Sequence, residues 1–219
     1  MKNSRGFFIT FEGCEGCGKS TQTRLLYNKL QNDKIATVLT QEPGGTPLGN
    51  KVRSLLKVKR NIDISPLAEL FLFNSCRSQL VADVINPALD SGKVVICDRF
   101  ADSTLVYQGY GRGLDLKLIT SVNAIATGGL EPDLTVLLDT DPELGLQRKR
   151  NSADDRFEAE NIAFHRKIRD GYLNLAQKKP GRWLVVEPGQ TIAHISDIIW
   201  DRIAPIIHSR YPATNNIRP

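Results

Sequence analysis

The sequence predicts an α/β fold, a five-stranded parallel sheet with helices on both faces. Three observations lead there. Short β-branched or aromatic runs alternate with helix-period stretches along the whole chain. The strand runs are continuously apolar rather than alternating, as expected of strands covered on both sides. Between the first strand and the first helix lies a glycine-rich loop, Gly13 to Ser20, with the sequence GCEGCGKS.

That loop fits G-x-x-x-x-G-K-S/T at every fixed position. Phe7 to Phe11 precedes it as a strand, and Leu25, Leu26 and Leu30 follow at near-helical spacing. The motif therefore sits where its chemistry needs it. Amides of the turn and the helix N-terminus can wrap a polyphosphate. Gly13, Cys14, Glu15, Gly16, Cys17, Gly18, Lys19, Ser20 and Thr21 form this nucleotide-binding set. Lys19 would reach the terminal phosphates and Ser20 would ligate Mg²⁺.

The second strand reads as Ile35 to Thr40 and runs into a Pro/Gly loop, where Thr46 can cap a helix carrying Val52, Leu55, Leu56 and Arg53. A polar loop, KVKRNIDIS, follows. Ser65-Pro66 opens a long helix, Leu67 to Leu89, with Leu70, Phe71, Phe73 and Leu80 on its apolar side and Pro87 near its end. Val94 to Cys97 is a third strand, closed by Asp98-Arg99-Phe100. Helical segments follow from about Ser103, with GYGRG at 109–113 as an interruption. Leu134 to Leu138 is the fourth strand, closed by Asp139. Pro142 to Arg150 is a short helix, the polar stretch after it a lid (about 148–160), and the next helix runs to about Lys178. Trp183 to Val186 and Gln190 to Ile207 complete the alternation. The absence of a linker or repeat suggests that 1–219 is one domain.

The net charge of +5 and pI near 9.1 come without a long basic run or an RNA-binding motif, so a basic pocket for phosphorylated small molecules is expected rather than nucleic acid. The N-terminus lacks a signal-peptide core, and no apolar run approaches the roughly 18–20 residues of a membrane span, so a cytoplasmic protein is expected, away from membranes. Cys14 and Cys17 form a C-x-x-C, but inside the phosphate loop and without a second pair at zinc spacing.

Ligands of parallel sheets collect at the carboxyl ends of strands. Glu15, Glu42, Asp98, Arg99 and Asp139 stand there. Phosphoryl transfer needs positive charge over the migrating group. Lys19 supplies one charge, Arg53 and Arg99 suit an acceptor phosphate, and Arg148, Lys149, Arg150 and Arg156 cluster around the lid. Phe73 and Arg77, four apart on one helix, share a face. Phe73 suits either the core or a stacked base. A guanine-reading N-K-x-D is missing, which weighs against a regulatory GTPase.

With these residues in order, the chain resembles the bacterial thymidylate kinases from first strand to last helix. The resemblance rests on FEGCEGCGKST at 11–21, EPGGT at 42–46, FNSCRSQL at 73–80, DRF at 98–100, STLVYQGYGRG at 103–113, EPDLTVLLD at 131–139 and DRFE at 155–158. It implies a P-loop NTPase fold and transfer of the γ-phosphate of ATP to dTMP, giving dTDP on the route to dTTP, with Mg²⁺. It also implies a homodimer. By position, it implies that Glu15 positions acceptor and phosphates, Arg99 contacts the acceptor phosphate, and Asp98 is linked to the metal. Phe73 would stack on thymine, Arg77 bond its carbonyl, Thr104 touch the base edge and Tyr107 crowd the sugar 2′ position. Gln108 and Glu42 complete the acceptor set. Gly16 stands where one family type has a basic residue, so the charge suppliers would be Arg148, Arg150 and Arg156. Gln41 replaces an arginine common in the family, so one phosphate contact is either missing or carried by Arg53.

Overall fold

A computed structural model describes residues 5–57, 63–149 and 155–211. Its sheet has five parallel strands in the order β2-β3-β1-β4-β5: β1 is Phe7–Glu12, β2 Thr37–Gln41, β3 Val94–Asp98, β4 Leu134–Leu138 and β5 Trp183–Val186. The central strand β1 is buried at every residue. The outer strands β2 and β5 leave Val38, Leu39 and Gln41, and Leu184 and Val185, partly or fully open, because one edge of each lacks a neighbour.

Alternate residues of β1 face opposite layers. Phe7, Ile9 and Phe11 pack with Leu26 and Leu30 of α1 (Lys19–Asn32) and Ile199, Ile203 and Ile207 of α9 (Ile192–Arg210). Phe8 packs on the other side with Leu80, Ile85, Leu89 and Phe100, meeting Phe100 edge-on at 5.0 Å. Helices therefore cover both faces. The remaining helices are α2 (Pro47–Lys57), α3 (Pro66–Leu80), α4 (Asn86–Asp90), α5 (Ala101–Thr104), α6 (Leu116–Thr127), α7 (Pro142–Lys149) and α8 (Ile162–Lys178). No helix among the described residues is long and apolar enough to cross a membrane.

Local chemistry accounts for the boundaries. Ser65 Oγ accepts from the Ala68 amide and Pro66 takes the first turn, so α3 starts where expected. Thr46 Oγ1 accepts from the Gly49 amide and caps α2. Three expectations change. The helix expected over 67–89 passes through a π-helical turn, Val81–Ile85, before Pro87, which re-phases the chain ahead of the proline. GYGRG does interrupt the helical segments, as expected: a second π-helical stretch, Leu105–Gly111, carries on from α5 and ends inside it, and α6 starts only at Leu116. Leu25 and Phe71 point outward, Phe71 being half exposed at 51%, while Leu26, Leu30, Leu70 and Leu80 fill the core. Of the apolar residues expected inward on the helix after Thr46, only Leu56 is fully buried, with Val52 and Leu55 half-buried. Residues 58–62 of the polar loop, Arg150 with 151–154 of the lid, and 212–219 lie outside the described residues.

Candidate active site

The carboxyl ends of β1, β2 and β3 open onto one cavity of about 360 Å³, within the range of small-molecule sites. Its wall brings together Glu15, Gly16, Cys17, Gly18, Lys19, Ser20 and Thr21 of the loop with Glu42, Arg53, Phe73, Arg77, Asp98, Arg99, Thr104, Tyr107, Gln108 and Arg148. Gly13 and Cys14 stand behind that wall and contribute carbonyls. Lys19 Nζ donates to Gly13 O at 3.0 Å, to Cys14 O at 2.8 Å and to Cys17 Sγ at 3.3 Å. The ammonium is thus held inside the loop, and a polyphosphate would exchange for one of those acceptors. Burial pushes the Cys14 thiol up to about 12, so it stays protonated at neutral pH.

Gly18 caps α1 at φ +93°, a left-handed conformation that glycine adopts freely. The first amides of α1 lack intrahelical partners, which makes this end an anion site. Ser20 Oγ donates to Asp98 Oδ2 at 2.7 Å. A hydroxyl and a carboxylate, both on the cavity wall beside the loop, are the hard oxygen donors that suit Mg²⁺.

Arg99 links the two ends of the cavity. It stands at φ +71° just after β3, where Glu15 Oε1 accepts from its Nη2 at 2.7 Å. Its Nη1 reaches Gly13 O, Ser103 Oγ and Tyr172 Oη. Burial alone would lower this guanidinium, but Glu15 and the surrounding oxygens hold it well above its ordinary value. Tyr107 Oη also donates to Glu15 Oε1, at 3.0 Å, and its ring lies under Arg99 at 5.0 Å. Glu15 therefore fixes both the phosphate-side arginine and the sugar-side tyrosine.

Arg77 sits deeper than the sequence suggests. Its side chain is 1% exposed and all five of its N–H groups have acceptors: Glu42, Asn74, Asn123 and the Phe100 carbonyl. A base carbonyl that takes a bond from Arg77 must therefore share or displace one of these partners. The longest of the contacts to Asn74 and Asn123, at 3.2 Å to Asn74 Oδ1, is the one most open to exchange. Glu42, expected among the acceptor contacts, is committed to Arg77 at 2.6 Å, and burial lifts its carboxyl above the usual range against that arginine's pull. Gln108 is likewise committed, donating to Glu69 Oε1 at 2.7 Å. Arg53 donates to Pro43 O at 2.7 Å.

Two of the singled-out charges stand off the cavity. Asp139 accepts two bonds of 2.7 Å from Arg169 and so anchors α8 to the end of β4. Arg156, expected over the phosphates, bonds Glu69 and the Leu56 carbonyl instead. Arg148 does line the cavity, together with Lys149 and Phe157.

The sequence reading missed a layer beneath Arg99. Glu12 is fully buried, with Oε1 accepting from the Phe100 amide at 2.8 Å and Oε2 from Ser103 Oγ at 2.6 Å and Tyr172 Oη at 2.9 Å. Burial first, and then the charge of Asp102, pushes its carboxyl up to about 7. A charged residue ending an otherwise apolar strand was the available signal. Gly145 was missed as well. A Cβ there would lie 2.3 Å from Glu15 O, and one on Gly16 would lie 2.0 Å from Gly145 O. The paired glycines let α7 rest directly on the phosphate loop, which is what brings Arg148 to the cavity.

The family model described as thymidylate kinase matches residues 11–199. A thymidylate kinase of Dehalococcoides mccartyi is 50% identical over 200 residues, covering 91% of this chain and 97% of that relative. One from Trichlorobacter lovleyi is 47% identical over 208 residues, covering 90% and 98%. The crystal structure of thymidylate kinase from Ehrlichia chaffeensis superposes with a TM-score of 0.73 at 34% identity, covering 91% of this chain and 99% of that one.

Proposed function

We propose how the site works in a chain that belongs to the thymidylate kinase family, and is therefore a nucleoside-monophosphate kinase. The reaction is transfer of the γ-phosphoryl group of ATP to an oxygen of the dTMP 5′-phosphate: a new P–O bond forms, the bond to the ADP oxygen breaks, and dTDP and ADP leave. One observation carries the reading, a single cavity with the phosphate loop at one end and Phe73, Arg77, Thr104 and Tyr107 at the other, joined by the Glu15–Arg99 pair.

ATP phosphates lie on the loop amides and Lys19. Ser20 and Asp98 would hold Mg²⁺, which would neutralise phosphate charge. Arg99 holds the dTMP phosphate in line with the migrating group, and Glu15 keeps that guanidinium in place. Phe73 stacks on thymine, and Tyr107, fixed by Glu15, crowds the sugar 2′ position. Arg148 adds positive charge over the migrating group from α7, with Arg150 assigned the same task from outside the described residues. Because the transition state spreads charge over the equatorial oxygens, positioning and cations do nearly all of the work.

The chain is one domain that works in the cytoplasm as a homodimer. Exposed Leu48, Leu67, Phe71, Leu118 and Ile125 on α2, α3 and α6 support the dimer, since large apolar side chains left on packed helices favour a partner. A light-scattering mass near twice that of the chain would bear this out.

The test of the reaction is a coupled ADP-release assay with ATP, Mg²⁺ and each nucleoside monophosphate in turn. dTMP should give the highest kcat/KM. Absence of turnover with dTMP would overturn the assignment of the cavity.

A further inference from the structure

We propose that Glu69 is the anchor that seats residues 155–160 as a wall of the acceptor pocket, so that Arg156 serves dTMP binding rather than the migrating phosphate. The inference rests on the reaction proposed above.

Glu69, on α3, is fully buried, yet it lies off the cavity and the transfer does not use it. Its carboxylate collects donors from two directions. Oε1 accepts from Gln108 Nε2 at 2.7 Å and from Arg112 Nε at 3.3 Å, both on the stretch that carries Tyr107. Oε2 accepts from Arg156 Nη2. Arg156 Nε reaches past it to the Leu56 carbonyl at 3.1 Å, at the end of α2. A second link closes the segment: Arg112 Nη1 donates to Glu160 Oε1 at 2.5 Å. Residues 155–160 are therefore tied to the body of the protein at both ends.

Between the ties lies Phe157. It is 5% exposed and lines the cavity. Its ring sits 5.9 Å from Phe73 and 5.7 Å from Tyr107. Those are the side chains assigned to the base and the sugar. Arg156 and Arg112 lie against the same ring, at 4.9 and 5.8 Å. The Glu69 contact thus decides whether Phe157 closes the acceptor end of the cavity.

Charge points the same way. Arg112 and Arg156 meet Glu69 and Glu160, two cations against two anions. A guanidinium neutralised by a buried carboxylate projects little field onto a phosphate at the far end of the cavity. Gln108 fits the scheme: it acts by steadying Glu69 rather than by touching the nucleotide. Glu69 is a positioning residue.

The test compares wild type, Glu69→Gln, Arg156→Gln and the double variant by steady-state ADP release, varying dTMP at saturating ATP and then the reverse. Each single change should raise KM for dTMP about tenfold, the equivalent of about 1.4 kcal/mol of lost acceptor binding. KM for ATP and kcat should stay within about threefold of wild type. The double variant should be no worse than the weaker single one, since both cut one link. Should Glu69→Gln not fold, Arg156→Gln removes the same contact from a side chain 19% exposed and carries the test alone. A fall in kcat at saturating dTMP with KM for dTMP unchanged in Arg156→Gln would return that arginine to the migrating phosphate and overturn the proposal. Multiplicative effects in the double variant would do the same for the link. Unchanged KM values in active variants refute this inference only, whereas a wild-type protein without dTMP turnover refutes the reaction it rests on.

Discussion

Replacing Gly145 by alanine tests whether α7 delivers its cation by resting on the phosphate loop. The added Cβ would sit 2.3 Å from the Glu15 carbonyl oxygen and 3.4 Å from its carbonyl carbon, with Thr140 Cγ2 following at 3.9 Å. Ordinary carbon contacts need about 3.5 Å, so helix and loop must part by roughly 1 Å. The obstacle is backbone, which cannot rotate aside as a flexible side chain would. Arg148 lies less than one turn further along α7 and moves with it. Glu15 is pushed from the other side, and with it the bond to Arg99. A displacement of about 1 Å in groups that stabilise a transferring phosphoryl can cost on the order of 10²-fold in rate. The expected result is a kcat lowered by about 30- to 100-fold, with smaller changes in either KM, since substrates still meet intact amides and an intact Phe73. Steady-state ADP release at saturating ATP and dTMP reads kcat, and a thermal melt shows whether the variant is folded. A folded Gly145→Ala protein with wild-type kcat would refute the role given to the paired glycines.

Lys19→Ala removes the loop's own cation and should lower kcat by at least about 10²-fold in a folded protein; near-normal turnover would overturn the loop assignment. Arg77→Ala should raise KM for dTMP far more than KM for ATP, but it also strands Glu42 in the interior at a cost of about 3–5 kcal/mol. Adding Glu42→Gln should recover much of the melting temperature while KM for dTMP stays high, and recovery of both together would remove Arg77 from base recognition. Tyr107→Ala should relax discrimination against a ribonucleotide acceptor, and an unchanged sugar preference would release the tyrosine from that role. Glu12 supplies a pH signature. Its folded pKa of about 7 lies above the ordinary 4.5, so its contribution to stability is complete below about pH 4.5 and is lost as pH rises through 7. Glu12→Gln should therefore gain on wild type between pH 5 and pH 8 by on the order of 3 kcal/mol in denaturant melts, and parallel pH curves would show that Glu12 ionises as freely as an exposed glutamate.

The parts of this molecule legible from sequence are those written locally. β4 and β5 begin and end where their apolar runs do, and Ser65-Pro66 marks the start of α3, because hydrophobic runs and caps are short-range signals. The phosphate loop is legible for the same reason: its glycines, lysine and serine act within eight residues. Tertiary partners are different. Arg77 and Phe73 read correctly as sharing a helix face, but nothing local says that Glu42, 35 residues away, and Asn123, 46 residues away, fill the arginine's valences. Arg156 follows the same rule. A run of basic residues beside a loop suggests phosphates, yet the partner that claims this guanidinium is Glu69, 87 residues earlier and fully buried. Glycine in a helix is the intermediate case. Gly145 lowers helix propensity in a short helix at a cost of about 1 kcal/mol against alanine, and such a cost persists where the backbone must approach something closely. The sequence can raise that question at Gly145; only the fold supplies Glu15 as the thing approached. A charge is thus assigned to the ligand only after every buried countercharge within reach of its side chain has been found, and in this fold those countercharges come from distant parts of the chain.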